Sequence, residues 1–176
     1  AINDTPPPEA DVISPSQPPV YKVPPVISAL AYTPDGKALA VSGYREVLLH
    51  KSDGSELINR LVGKSPRIES IVYTSDGKML AAVGGAPAQF GEVQLWDTSA
   101  NTLSTSIRTT YDTLYGGSFS PDGQLLAFGC ADKTARVITV ADGKEKIKFD
   151  NHSDWVFGTS FSKEGTHLVT GSRDQA

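Results

Sequence analysis

Residues 119 to 126 read FSPDGQLL, and three other stretches share their pattern: YTPDG at 32, YTSDG at 73 and FSKEG at 161. The turn chemistry is explicit. Pro34 or Pro121 sets φ at the first corner. Asp35, Asp76 or Asp122 can bond the backbone ahead, and Gly36, Gly77, Gly123 or Gly165 supplies the left-handed residue that closes a hairpin. An alternating apolar string precedes each turn (VISALAYT, RIESIVYT, TLYGGSFS, WVFGTSFS), and a leucine three residues past each glycine opens the next: Leu39, Leu80, Leu126 and Leu168. One unit is therefore strand, tight turn, strand.

The units recur at spacings of 41, 46 and 42 residues, the period of long-repeat architectures. A third string follows a second turn in three of them (EVLLH at 46, EVQLW at 92, TARVI at 134), with a fourth short string behind it (ELINRLV, LSTSIR, EKIKF). Four antiparallel strands per unit is the blade of a β-propeller. The reading predicts an all-β chain with blades at about 26–65, 66–110 and 111–153 and a partial blade at 154–176, or about three and a half blades. The extra residues of the second unit fall in GGAPAQFGE and are expected as loop growth.

Composition bounds the rest. The chain has 176 residues, 39% of them hydrophobic and 20% charged, enough for one domain with a real core. The net charge is -4 and no run of Lys or Arg occurs, so nothing in the pattern follows nucleic acid or anionic lipid. No apolar run reaches the roughly 18 residues of a membrane span. The single cysteine, Cys130, excludes an internal disulfide and any CxxC motif, and reads as a small residue packed in a strand. Eight of the twelve prolines lie in residues 1–25, which favours an extended linker or arm over helix or sheet.

The motifs FSPDG, EVQLWD and NHSDWV with LVTGSRD resemble the WD-repeat family of β-propellers over residues 26–176. The Trp-Asp pair itself occurs once, at Trp96-Asp97; elsewhere its place holds His50-Lys51 and Ile138-Thr139. The resemblance implies a buried network in each blade of a loop His, a strand Ser or Thr, a turn Asp and the Trp. In the last unit the matches are His152, Thr170 and Asp174, with no Trp to complete them. The second unit keeps Trp96 but has Phe90 where the Asp belongs. The third keeps Asp132 but has Ile138 where the Trp belongs. The degenerate repeats with a Pro-rich leader also resemble bacterial, planctomycete-type WD-repeat domains, some of them fused to c-type cytochromes.

Few constellations in the chain can carry chemistry. His50, His152 and His167 are scattered with no metal-ligand spacing, so no metal site is expected. Ser, His and Asp adjoin in NHSDW, where neighbours on a turn cannot converge on one proton path. The glycines of VGGAPAQFG lack a phosphate-cradle motif and precede a strand. Asp53-Gly54 and Asp142-Gly143 are turns. The sequons at Asn3 and Asn151 matter only for a secreted, glycosylated chain. No catalytic residue, cofactor or metal is assigned, and the chain leans away from being an enzyme.

What the family resemblance implies instead is a partner-binding face, built by the loops that lead into first strands and join second to third. At those positions stand Arg45, Arg67, Tyr115, Asp132, Trp155, Phe157 and Arg173, of the types that anchor protein interfaces. The alternative, in which Tyr115 and Phe157 fill the channel or inter-blade core and the arginines are simply solvated, stays open. The expected function is a non-catalytic interaction scaffold; the alternative is the propeller domain of a larger periplasmic redox or hydrolytic enzyme. The expected partner is another protein, the remainder of the propeller or a second copy. Stopping after two strands of a blade, the chain reads as the N-terminal portion of a longer propeller, with self-completing half-rings as the competing expectation. No compartment is fixed; the lean is periplasmic or extracellular.

Overall fold

The computed structural model describes residues 17–176; of the Pro-rich arm it covers residues from Gln17 onward, and the Asn3 sequon lies outside the described residues. Fourteen strands and no helix are found among the described residues. The first sheet contains β1 (Leu30–Tyr32), β2 (Ala38–Ser42), β3 (Glu46–Lys51) and β4 (Leu57–Val62). The second contains β5 (Arg67–Tyr73), β6 (Met79–Ala86), β7 (Phe90–Asp97) and β8 (Thr102–Thr110). The third contains β9 (Leu114–Phe119), β10 (Leu125–Cys130), β11 (Ala135–Thr139) and β12 (Glu145–Phe149), and β13 (Val156–Phe161) pairs with β14 (Leu168–Ser172) in the last. Every pairing is antiparallel and follows chain order. These are three propeller blades and the first two strands of a fourth, the fold class read from the repeat.

The turn box that predicts the fold is built alike in each unit. Gly36, Gly77, Gly123 and Gly165 all sit at φ near +70°, and their amides donate to the carbonyls of Thr33, Thr74, Ser120 and Ser162. The hydroxyls of Thr33, Thr74 and Ser120 donate to Asp35, Asp76 and Asp122 at 2.7, 2.7 and 2.5 Å. Each of those aspartates also accepts an amide two residues on. Successive turns touch: Ser75 Oγ donates to the Pro121 carbonyl at 2.9 Å.

Two details differ from the sequence reading. The string expected as the first strand shrinks to Leu30–Tyr32, because the amides of Ser28 and Ala29 donate to the Ser42 hydroxyl at 3.0 Å each instead of to a strand carbonyl. The extra residues of the second unit make no long loop. They lengthen β6 and β7 to eight residues each around a tight turn, with Ala88 at φ 56°.

The first strands of successive sheets lie side by side along the centre of the stack. Hydroxyls lace them together: Ser28 Oγ donates to the Ile68 carbonyl at 2.6 Å, the Gly117 amide to Ser70 Oγ at 3.0 Å, and Thr159 Oγ1 to the Gly116 carbonyl at 2.6 Å. Between the sheets run two apolar seams. Ala40, Val47 and Leu61 of the first blade meet Ile68, Ile71, Leu80, Ala82 and Trp96 of the second. On its other face, Ala81, Val83, Val93 and Leu95 meet Leu114, Leu126, Phe128 and Ile138 of the third.

Cys130 lies in the second seam, fully buried, and burial pushes its thiol up to about 12. A thiol reagent at neutral pH is therefore expected to leave the native chain unlabelled and to label it stoichiometrically in guanidinium. Stoichiometric labelling of the native chain would contradict the seam.

Candidate functional site

The two ends of the stack are built differently. One end carries the repeated Asp-Gly turns. The other, the rim, carries the turns joining second to third strands and the segments leading into first strands, tied in pairs. Gly63 N donates to the Arg45 carbonyl at 2.7 Å, Ala88 N to Asp112 Oδ1 at 3.0 Å, Ala131 N to the Thr113 carbonyl at 3.0 Å and Arg173 N to the Trp155 carbonyl at 2.9 Å. Every rim residue singled out in the sequence lies on these segments or on the strand just inside them.

Four of the seven converge. Tyr115 stacks on Trp155 with centroids 6.3 Å apart and meets Phe157 edge-on at 5.4 Å, while Trp155 and Phe157 are 6.1 Å apart. Arg173 lies over the Trp155 ring at 6.0 Å, with its Nε 3.7 Å from Asp154. Trp155 is 39% and Phe157 46% exposed while Tyr115 is half-buried, so the cluster is packed on itself with two of its rings partly open to water. Arg67 approaches Glu69 at 3.7 Å; partial burial and the Glu69 charge raise the Tyr115 hydroxyl above its ordinary value.

The other candidates stand apart. Arg45 lies over the Tyr44 ring at 5.2 Å, in a turn where it takes φ 64°. Asp132 is engaged within its own blade: it accepts from the Thr134 amide and hydroxyl and pairs with Arg136 at 2.8 Å, while Arg136 also reaches Glu145 and the Thr109 carbonyl of the second blade.

Three residues of the last hairpin form a buried chain. His152 Nδ1 lies 2.9 Å from Asp174 and Nε2 lies 2.8 Å from Thr170 Oγ1, and the Ser153 amide also donates to Asp174 at 2.9 Å. The Ser153 amide and the His152 ring together hold the Asp174 carboxyl down at about 2. In the second blade Ala82 lies at the register of Thr170, and Trp96 Nε1, though buried, has no hydrogen-bond partner among the described residues.

Two buried carboxylates escaped the sequence reading. Glu46, 2% exposed, accepts from Arg60 Nε at 2.6 Å and from the Tyr21 hydroxyl. Glu92, 1% exposed, accepts from Ser106 Oγ at 2.6 Å and Gln94 Nε2 at 2.8 Å. Their signal was the EV dipeptide recurring at 46 and 92, at the start of the third string in the first two units. Through Tyr21 the first of them docks the strap, residues 17–29, beside the rim. Among the described residues no group of His, Cys, Asp and Glu could hold a metal ion.

A family model described as WD domain, G-beta repeat matches residues 102–139 and 143–176. Those two stretches are thus WD repeats. The chain is 35% identical over 63 residues to the U3 small nucleolar RNA-associated protein 15 homolog of Xenopus tropicalis, which is 36% of this chain and 12% of that protein. It is 30% identical over 87 residues to the Periodic tryptophan protein 2 of Arabidopsis thaliana, 49% of this chain and 10% of that protein. The chain thus spans about a tenth of the length of these relatives. Frog and plant relatives lend no support to the bacterial, cytochrome-linked reading, and a protein named for a small nucleolar RNA does not fit a periplasmic setting.

The WD-repeat hairpin gives two predictions. His152→Ala, which leaves Thr170 and Asp174 without their buried partner, is expected to destabilise the chain by about 1–3 kcal/mol in a denaturant titration. The folded Asp174 carboxyl lies below its unfolded value of 3.8, so its contribution is present above about pH 4 and lost as the pH falls toward about 2. The gap in melting temperature between the native chain and Asp174→Asn should therefore be widest near neutrality and close below about pH 3. A gap independent of pH would contradict the network.

Proposed function

We propose that the chain is a non-catalytic scaffold that binds a protein partner through its rim. The observation that carries this is the aromatic cluster of Tyr115, Trp155 and Phe157, assembled from two blades beside Arg173, with Trp155 and Phe157 about two-fifths open to water. Large apolar rings at a rigid, partly exposed site with arginine at their edge are what interface anchors require. WD repeats in general mediate protein–protein contacts, and this fits them.

A second covering surface is also expected. Leu30 and Tyr32 on the outer face of the first blade, and Ile147, Phe149 and Val169 toward the other end of the stack, are all 41% exposed or more. Their chemistry matches the seams between blades, so a further sheet, from more blades or from a second copy, would cover them.

Trp155→Ala combined with Phe157→Ala tests the rim. The doubly substituted chain should keep its melting temperature within a few degrees and lose cross-linking to the partner captured by the native chain. Undiminished cross-linking would place the anchor elsewhere.

A further inference from the structure

Between the first and second blades the rim holds a groove of about 260 Å³, walled by Pro25, Val26, Tyr44, Arg67, Ile68 and Glu69. Its size falls below the ~300–1,000 Å³ of small-molecule sites, which suits a single inserted side chain better than a cofactor. Its walls are held in place. Ser28 bridges to the Ile68 carbonyl and to Ser42, and Tyr21 anchors the strap to the buried Glu46–Arg60 pair. The floor is apolar and the turn residue Tyr44 is half exposed, with Arg45 stacked on one face of its ring.

Arg67 and Glu69 line the groove itself, and the segments around it carry an excess of cations although the chain as a whole is acidic. On the three segments that wall it, the strap from Gln17 to Ala29, the turn 43–45 and the lead-in 63–69, stand Lys22, Arg45, Lys64 and Arg67 against one carboxylate, Glu69. The nearby Glu46 and Glu92 are buried and already accept two donors each. Glu69 meets Arg67 only at 3.7 Å, and Lys22, Arg45 and Lys64 have no ion-pair partner among the described residues. The opposite end of the stack carries the repeated turn aspartates Asp35, Asp76 and Asp122.

We propose that this groove takes an acidic segment of the partner protein, one apolar side chain seated against Pro25, Val26 and Ile68 and its flanking carboxylates on Arg45 and Arg67. Arginine suits this role because its planar donors match a carboxylate in pairs. Four cations are too few for the 6–10 phosphate contacts of a typical nucleic-acid site. The inference rests on the rim reading above but names a different part of the rim, on the first two blades instead of the last two.

The test is fluorescence polarisation of a labelled Asp-Glu-Leu-Glu-Asp peptide on the full chain. Binding should weaken about tenfold with Arg45→Glu plus Arg67→Glu. It should also weaken when ionic strength rises from about 50 to about 500 mM, and when lysines replace the acids of the peptide. In the native chain, titrated peptide should shift the NMR signals of Tyr44 and Ile68, a readout that does not depend on the variant folding. Equal binding of the lysine peptide, binding indifferent to the two arginines, or shifts absent from Tyr44 and Ile68 would each overturn the proposal. A ten-nucleotide oligouridylate that binds more tightly than the peptide would overturn it in favour of nucleic acid. Loss of the peptide in the Trp155→Ala, Phe157→Ala chain alone would move the docking point to the aromatic cluster, and so sink the groove while leaving the rim reading intact.

Discussion

The second blade is apolar on both faces, and the rest of the structure depends on that. Leu80, Ala82 and Trp96 face the first blade, Ala81, Val83, Val93 and Leu95 face the third, and all seven are less than 5% exposed. A sheet with two buried faces needs a neighbour on each side, so the blades stack face to face and cannot lie as separate sheets in water. Stacking in turn brings the first strands together, where they bond through Ser28, Ser70 and Thr159. The segments leading into those strands then meet at one end, and the rim is the consequence. Tyr115 and Trp155, forty residues apart in the chain, touch only because β9 and β13 are neighbours.

The polar groups left between the blades are handled locally. Glu46 and Glu92 occupy the same register in successive third strands, yet one is satisfied by Arg60 and Tyr21 and the other by Gln94 and Ser106. Burying a carboxylate without partners is costly, so each blade must supply its own donors. In the first blade one donor comes from the strap, and this fixes Pro25 and Val26 as a wall beside the rim. The strap is thus tied to the first blade by a contact that its proline content alone did not suggest.

Much of the fold was legible because it repeats. A Thr or Ser, an Asp and a Gly at fixed offsets determine a hairpin by local bonding, and four copies determine a period. The members of the His152, Thr170 and Asp174 chain could be named from the family motif, because loop and turn lengths in the last unit match it. Other features depend on contacts that the one-dimensional pattern does not carry. The first strand was shortened by Ser42, a side chain from the neighbouring strand. The second unit's extra residues went into β6 and β7, where apolar Ala86 and Phe90 pair across the sheet. Asp132, named as a rim residue, is also paired with Arg136 on β11, a contact that the sequence pattern did not carry. The groove was invisible because its walls come from three segments spread between Pro25 and Glu69.

The claim that blade packing assembles the rim is tested most directly by nuclear Overhauser contacts among the ring protons of Tyr115, Trp155 and Phe157 in solution. The structure predicts cross-peaks between all three rings, with Tyr115 linked to both aromatics of the last hairpin. Cross-peaks confined to Trp155 and Phe157, with Tyr115 at random-coil shifts, would mean that the third and fourth blades do not stack and that the rim does not exist as described.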